Sequence, residues 1–105
     1  VHICFLLKIR QEKVEDYKKI HTQVWPEMQA ALRATGWRNY SIFLKPDGQI
    51  VGYLETDDFE KSCADMKNYP VNARWQAQTA PLFEALENGA ADDNMFPLEE
   101  VFHLD

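Results

Sequence analysis

The chain is short of the features that mark several functional classes. Of its 105 residues only two are cysteine, Cys4 and Cys63. Their separation suits neither a zinc knuckle nor a redox pair, so reduced thiols in a cytoplasm are expected rather than a disulfide. No apolar run approaches the roughly 18 to 20 residues that span a bilayer, and no secretory signal is visible, so no membrane partner is expected. Basic residues are few and scattered: eleven Lys and Arg against seventeen Asp and Glu leave a net charge of −6. Phosphate binding needs clustered cations, so no nucleic acid is expected either. A Gly-rich phosphate loop, a serine elbow motif and a Cys-His dyad by spacing are all missing, which disfavours phosphoryl transfer and covalent acyl chemistry. His2, His21 and His103 show neither a His-x-x-x-His nor a His-x-His spacing, so no metal is expected. Repeats and low-complexity segments are lacking too, and 46% hydrophobic content over this length fits one domain spanning residues 1–105.

What is present is strong periodicity. Ile3, Phe5, Leu7 and Ile9 alternate with more polar neighbours, the period of a strand with one face in the core. From Glu12 the period changes. Val14, Tyr17, Ile20, His21, Val24, Trp25, Met28 and Leu32 form a helical stripe that ends at Gly36, a residue suited to a C-terminal cap. Pro26 lies inside the stripe, and because proline lacks the backbone donor and crowds the preceding turn, the helix is expected to break at Val24-Trp25 and restart on Pro26. Two β-prone runs, 37–45 and 49–56, flank Lys-Pro-Asp-Gly and predict an antiparallel hairpin. A helix capped by Asp57 or Asp58 runs to about Asn68, another from Pro70 to about Leu86, and the alternation in residues 99–104 predicts a closing strand.

The resulting order is β-α-β-β-α-β with a split second crossover. The fold class is α+β: a ferredoxin-like antiparallel sheet with helices on one face. Strands with apolar residues on both faces, such as Cys4 and Leu6 against Ile3 and Phe5, predict that the uncovered face is buried as well, in a homodimer or around an internal pocket.

Tyr17, His21 and Trp25 stand at steps of four, so they share one helix face until the break at Pro26 turns Trp25 aside. A phenol, an imidazole and an indole together suit a site that moves protons on a hydroxylated ligand, because an unperturbed imidazole titrates near neutrality. An aromatic stripe at this spacing is nonetheless more often core than binding surface, and periodicity alone leaves both roles open. Tyr40 in the hairpin and Trp75 in the last helix add aromatics from other elements; an indole covers the apolar face of a sugar, whereas the alternative for Trp75 is packing with Val71, Leu82 and Leu86. Glu27 suits a helix start, where a carboxylate meets free N–H groups. Asp57, Asp58, Asp92 and Asp93 read as solvated surface. Of Glu99 and Glu100, on opposite strand faces, one is expected to point inward within reach of a ligand hydroxyl.

Taken together these motifs resemble the L-rhamnose mutarotase family. The likeness rests on Y-x-x-x-H-x-x-x-W-P-E at Tyr17, His21, Trp25, Pro26 and Glu27, on N-Y-S-I at residues 39–42, on Arg74-Trp75 and on E-V-F-H-L at residues 100–104. It covers nearly the whole chain. The resemblance implies a dimeric α/β barrel that interconverts the α and β anomers of a six-carbon deoxy sugar with no cofactor. It implies that His21 is the proton donor and that Tyr17, Tyr40 and Trp75 are substrate contacts, with Trp25 and Gln76 beside them. Gln76 stands where the family usually has a second tryptophan, and the family's Asn-Pro-Asp-Asn-Ser-Pro loop is changed to ADDNMFP around residues 92–97. Both departures bear on the choice between L-rhamnose and a related sugar such as L-fucose. The partner of His21 is expected to be a tyrosine hydroxyl, a strand carboxylate such as Glu100, or water. Two other readings fit the same fold: a small monooxygenase or haem-handling protein, and a sugar-binding module without catalysis.

Overall fold

The computed structural model describes residues 1–84, 86 and 89–105. Strand β1 (His2–Lys8) leads through a 3-10 turn (Gln11–Lys13) into α1 (Val14–His21); α2 (Pro26–Ala34) follows, then the hairpin β2 (Arg38–Leu44) and β3 (Gln49–Glu55), and finally α3 (Phe59–Met66) and α4 (Pro70–Thr79). The sheet is antiparallel in the order β1-β3-β2. Ile3, Phe5 and Leu7 of β1 and Ile50 and Leu54 of β3 are buried on the helix-covered face, as the two-residue period predicts. Among the described residues no helix is long and apolar enough to cross a membrane.

The helix break falls where proline chemistry puts it. Trp25 is extended and Pro26 opens α2 at its first position, where its missing N–H costs nothing. The other end of α2 closes on Gly36 at φ 91°, with Gly36 N–H donating to Arg33 O (3.2 Å) and Trp37 N–H to Leu32 O (3.0 Å). This paired closure needs a left-handed residue that an L side chain resists, and it delivers Trp37 directly onto Leu32. Asp58 caps α3 by accepting from Lys61 N–H at 3.1 Å.

Three sequence expectations are corrected. Residues 99–104 do not form a fourth strand: Leu98 N–H donates to Cys4 O (2.7 Å) beside β1, but beyond it the chain runs exposed, with Val101, Phe102 and Leu104 about four-fifths uncovered. Its alternating apolar residues find no covered surface on a single chain. The last helix stops at Thr79 rather than Leu86, because Pro81 cannot continue an α-helical ladder; a 3-10 turn, Ala80–Leu82, replaces it and Phe83 bridges to Ile9. Residue 85 of that expected helix, and residues 87 and 88 just beyond it, lie outside the described residues. Asp92, expected on the surface, has a side chain only 12% exposed.

A candidate active site between sheet and helices

A cavity of about 620 Å³ lies between the sheet and the helices, with Phe5, Ile42 and Ile50 from the sheet among its lining residues. Tyr17 and His21 from α1, Tyr40 from β2, and Trp75 and Gln76 from α4 all line it. Trp25 does not. Its ring packs edge-on to Trp75 (centroids 5.0 Å, 85°), so the expected contact is a support behind the wall; the turn between α1 and Pro26 carries it off the α1 face. The same region joins two of the sequence motifs, since Arg74 Nη2 donates to Glu27 Oε1 at 2.9 Å across α4 and α2. That pair is exposed and worth little in energy; it matters as alignment.

His21 is held on three sides. Its ring stacks on Tyr17 (4.1 Å, 30°), stands edge-on to Trp75 (5.6 Å, 87°), and its Nδ1 lies 2.8 Å from Tyr17 O. A carbonyl only accepts, so Nδ1 carries the hydrogen and the neutral ring keeps its lone pair on Nε2. Burial lowers the His21 pKa below the ordinary 6.5, against the weaker raising effect of the Tyr17 carbonyl. The resting imidazole at neutral pH is therefore a base. Burial drives the Tyr17 and Tyr40 phenols well above their usual 10, so both stay O–H donors. Cys63 also lines the cavity, and burial first, then the charge of Asp92, raises its thiol to about 11. It is no thiolate nucleophile near neutrality.

Tyr40 and Trp37 share the cavity through an irregularity that sequence alternation does not show. Residues 37 and 40 fall on opposite faces of a regular strand, yet their rings meet at 4.9 Å. The pairing of β2 with β3 shifts register between Arg38 and Ser41, and Asn39 takes φ 48° within the shift. One extra residue reverses the phase and turns both aromatics inward.

Sequence reasoning also missed Asn72 and Asp92, which line the cavity. The signal for Asn72 lay in its spacing, because residues 72, 75, 76 and 79 occupy one helical face and put polar groups beside a buried tryptophan. Glu100, offered as a partner for His21, is not on the cavity; its Oε2 lies 3.0 Å from His2 Nδ1. The His103 ring lies tilted beside that of His2 (centroids 4.2 Å, 46°), and the donor atoms of His2, Glu100 and His103 gather within 4.8 Å of one another although no sequence spacing announced it. None of the three lines the cavity.

The sequence pattern of L-rhamnose mutarotase matches residues 2–104 of this chain. The chain belongs to the L-rhamnose mutarotase family. An L-rhamnose mutarotase of Bacillus subtilis (strain 168) is 40% identical over 101 residues, covering 95% of this chain and 94% of its own. One from Oceanobacillus iheyensis is 36% identical over 102 residues, with 96% and 95% covered. The crystal structure of the L-rhamnose mutarotase FA22100 from Formosa agariphila superposes with a TM-score of 0.80 at 24% identity over 100% of this chain and 99% of that one. Rv0793 from Mycobacterium tuberculosis superposes with a TM-score of 0.54 at 13% identity over 99% and 97% of the two chains, so the architecture extends beyond close sequence relatives. Membership makes the chain an isomerase of the mutarotase type and sets aside the monooxygenase and binding-only readings.

Proposed function

We propose that this chain interconverts the α and β anomers of L-rhamnose, with His21 moving the proton. The observation that carries the reading is the Nδ1–H to Tyr17 carbonyl bond, which reserves Nε2 for the substrate. Ring opening needs the anomeric hydroxyl to lose a proton and the ring oxygen to gain one. Both oxygens are bonded to C1, so one imidazole can serve them in turn. Neutral His21 takes the anomeric proton, the C1–ring oxygen bond breaks, and the imidazolium, acidified by burial, gives the proton to the ring oxygen. Rotation about C1–C2 and the reverse steps deliver the other anomer. His21 is thus a base before it is a donor. The Tyr17 and Tyr40 hydroxyls donate hydrogen bonds to oxygens that gain charge, Trp75 covers a sugar face, and Gln76 meets a hydroxyl. The test is NMR magnetisation exchange between anomers: acceleration is expected for L-rhamnose above L-fucose, and no acceleration for either would remove the reading.

The pH dependence follows from the same group. Activity requires the neutral imidazole, so kcat/KM should fall as pH drops through a half-point below 6.5, the ordinary histidine value. A half-point above 6.5 would show that the lowered histidine is not the group being read.

The working form we propose is a homodimer in the cytoplasm. Leu6, Val51 and Phe43 sit side by side on the uncovered sheet face, Phe43 being 61% exposed, and the apolar tail residues lie exposed nearby in sequence to Leu98, which bonds Cys4 on the same strand. A second copy with the same face satisfies both patches under two-fold symmetry. Cys4 and Cys63 are free and lie on opposite sides of the sheet, consistent with a reducing compartment. Phe43→Asp should convert a dimer to a monomer in sedimentation velocity; a monomeric wild type would refute the assembly.

A further inference from the structure

The face of α4 that brings Trp75 to the cavity also brings Asn72 and Gln76, and these two close a ring of hydrogen bonds with Asp92 from the loop after α4. Asn72 Nδ2 donates to Asp92 Oδ2 (2.9 Å), Gln76 Nε2 donates to Asn72 Oδ1 (3.3 Å), and Asp92 N–H donates to Gln76 Oε1 (3.3 Å). Asn72 is only 3% exposed. Lys67 Nζ lies 2.9 Å from Asp92 Oδ1, close enough for charges to pair though without hydrogen-bond geometry, and it also holds Asp93 at 2.6 Å.

Two properties of this ring go beyond fastening a loop. Each amide has its orientation fixed: Asn72 cannot flip without placing its oxygen against the Asp92 carboxylate, and Gln76 cannot flip without losing the Asp92 N–H. Among the described residues the ring also leaves hydrogen-bonding capacity unspent, because each amide nitrogen has a second N–H and a carboxylate accepts more than one bond. Buried polar groups facing a cavity that is also lined by Phe5, Trp37 and Trp75 are costly unless a water or a ligand fills that capacity. A fixed acceptor beside fixed N–H donors is the complement of a hydroxyl, which both donates and accepts.

We propose that Asn72, Gln76 and Asp92 form a subsite that reads one ring hydroxyl of the sugar: the hydroxyl donates to the Asp92 carboxylate and accepts the spare N–H of an amide. The inference rests on the mutarotase reading of the cavity and adds the chemistry of its selectivity. The ligand class is a pyranose carrying a hydroxyl at that position, and an analogue lacking it leaves the carboxylate and amide unpaired. Asp92 and Asn72 then act in specificity, and His21 alone in proton transfer.

The experiment compares anomer exchange for L-rhamnose and for three analogues, each lacking the hydroxyl at C2, C3 or C4, in wild type, Asp92→Asn and Gln76→Leu. Wild type should lose roughly 10- to 100-fold in kcat/KM on one analogue, as for a hydrogen bond to a charged group. The variants should lose a comparable factor on L-rhamnose and little more on that same analogue, the coupling expected of groups in contact. Equal losses on every sugar would assign the ring to structure alone, and indifference of wild type to all three deletions would overturn the subsite. Saturation-transfer NMR on the same proteins and sugars separates the two readings. Hydroxyl-dependent binding without anomer exchange would keep the subsite and discard the mutarotase; no hydroxyl dependence in binding or exchange would discard the subsite. Should Asp92→Asn fail to fold, Gln76→Leu, at a half-buried position, carries the comparison.

Discussion

His21→Ala should abolish most anomer exchange, by roughly 10² to 10⁴ in rate, the range that a positioned proton-transfer group supplies. The fold should survive. The imidazole already borders a large cavity, so its removal widens existing space instead of opening a closed void, and among the described residues its ring bonds only the Tyr17 carbonyl, an acceptor within the same helix. A second signature accompanies the loss. Because the folded His21 has a lowered pKa, the unfolded chain takes up its proton first as pH falls. The stabilisation is complete above the ordinary value of 6.5 and is lost as pH drops from there through the lower folded value; the alanine variant should lack this part of the pH dependence of unfolding. Exchange NMR and thermal melts at several pH values read both effects. Wild-type exchange rates in a folded His21→Ala protein would place the proton transfer elsewhere, and a variant that cannot fold would return the imidazole to a structural role.

How legible the site was depended on whether its geometry followed local rules. The helix break at Pro26 and the cap at Gly36 follow from backbone chemistry of single residues, and both stand where the pattern put them. Tyr17 and His21 followed from helical spacing. Trp25 followed only in part: the break at Pro26 was expected to turn it aside, but how far it turns depends on the residues between the two helices, and its ring ends on Trp75 instead of on the cavity. The bulge at Asn39 was hidden because strand reading assumes strict alternation, and a single inserted residue moves Trp37 to the other face. Asp92 was misread for a different reason. Carboxylates are mostly exposed, and only the tertiary approach of its loop to Lys67, Asn72 and Gln76 makes burial affordable. The tail failed in the opposite direction: residues 99–104 carry a genuine strand period, but a period shows only that one face seeks cover, not that the same chain provides it.

The largest expected loss of stability comes from adding one methyl group at Gly52, whose own role is space. Gly52 lies on β3 between the buried Ile50 and Leu54, paired with Phe5 on one side and Ile42 on the other. A Cβ there would stand 2.2 Å from Phe5 Cζ and 2.6 Å from both Cε atoms, so the phenyl ring crosses the place a side chain would occupy. Phe5 is 1% exposed, so its ring can yield only by displacing its core neighbours or by shifting into the cavity it lines. Gly52→Ala should therefore cost about 1–3 kcal/mol by overpacking, which for a domain of this size lowers the melting temperature by roughly 4–8 °C per kcal/mol. Exchange should fall as well, since Phe5 lines the cavity and its ring lies 6.4 Å from that of Tyr40. The control is Phe5→Leu. Alone it should destabilise by leaving a gap above Gly52; combined with Gly52→Ala it should cost less than the sum of the two, because the new methyl occupies part of the space the ring has left. Additive losses, or a Gly52→Ala protein as stable as wild type, would mean that Phe5 does not lie across Gly52 and that the floor of the cavity is built differently.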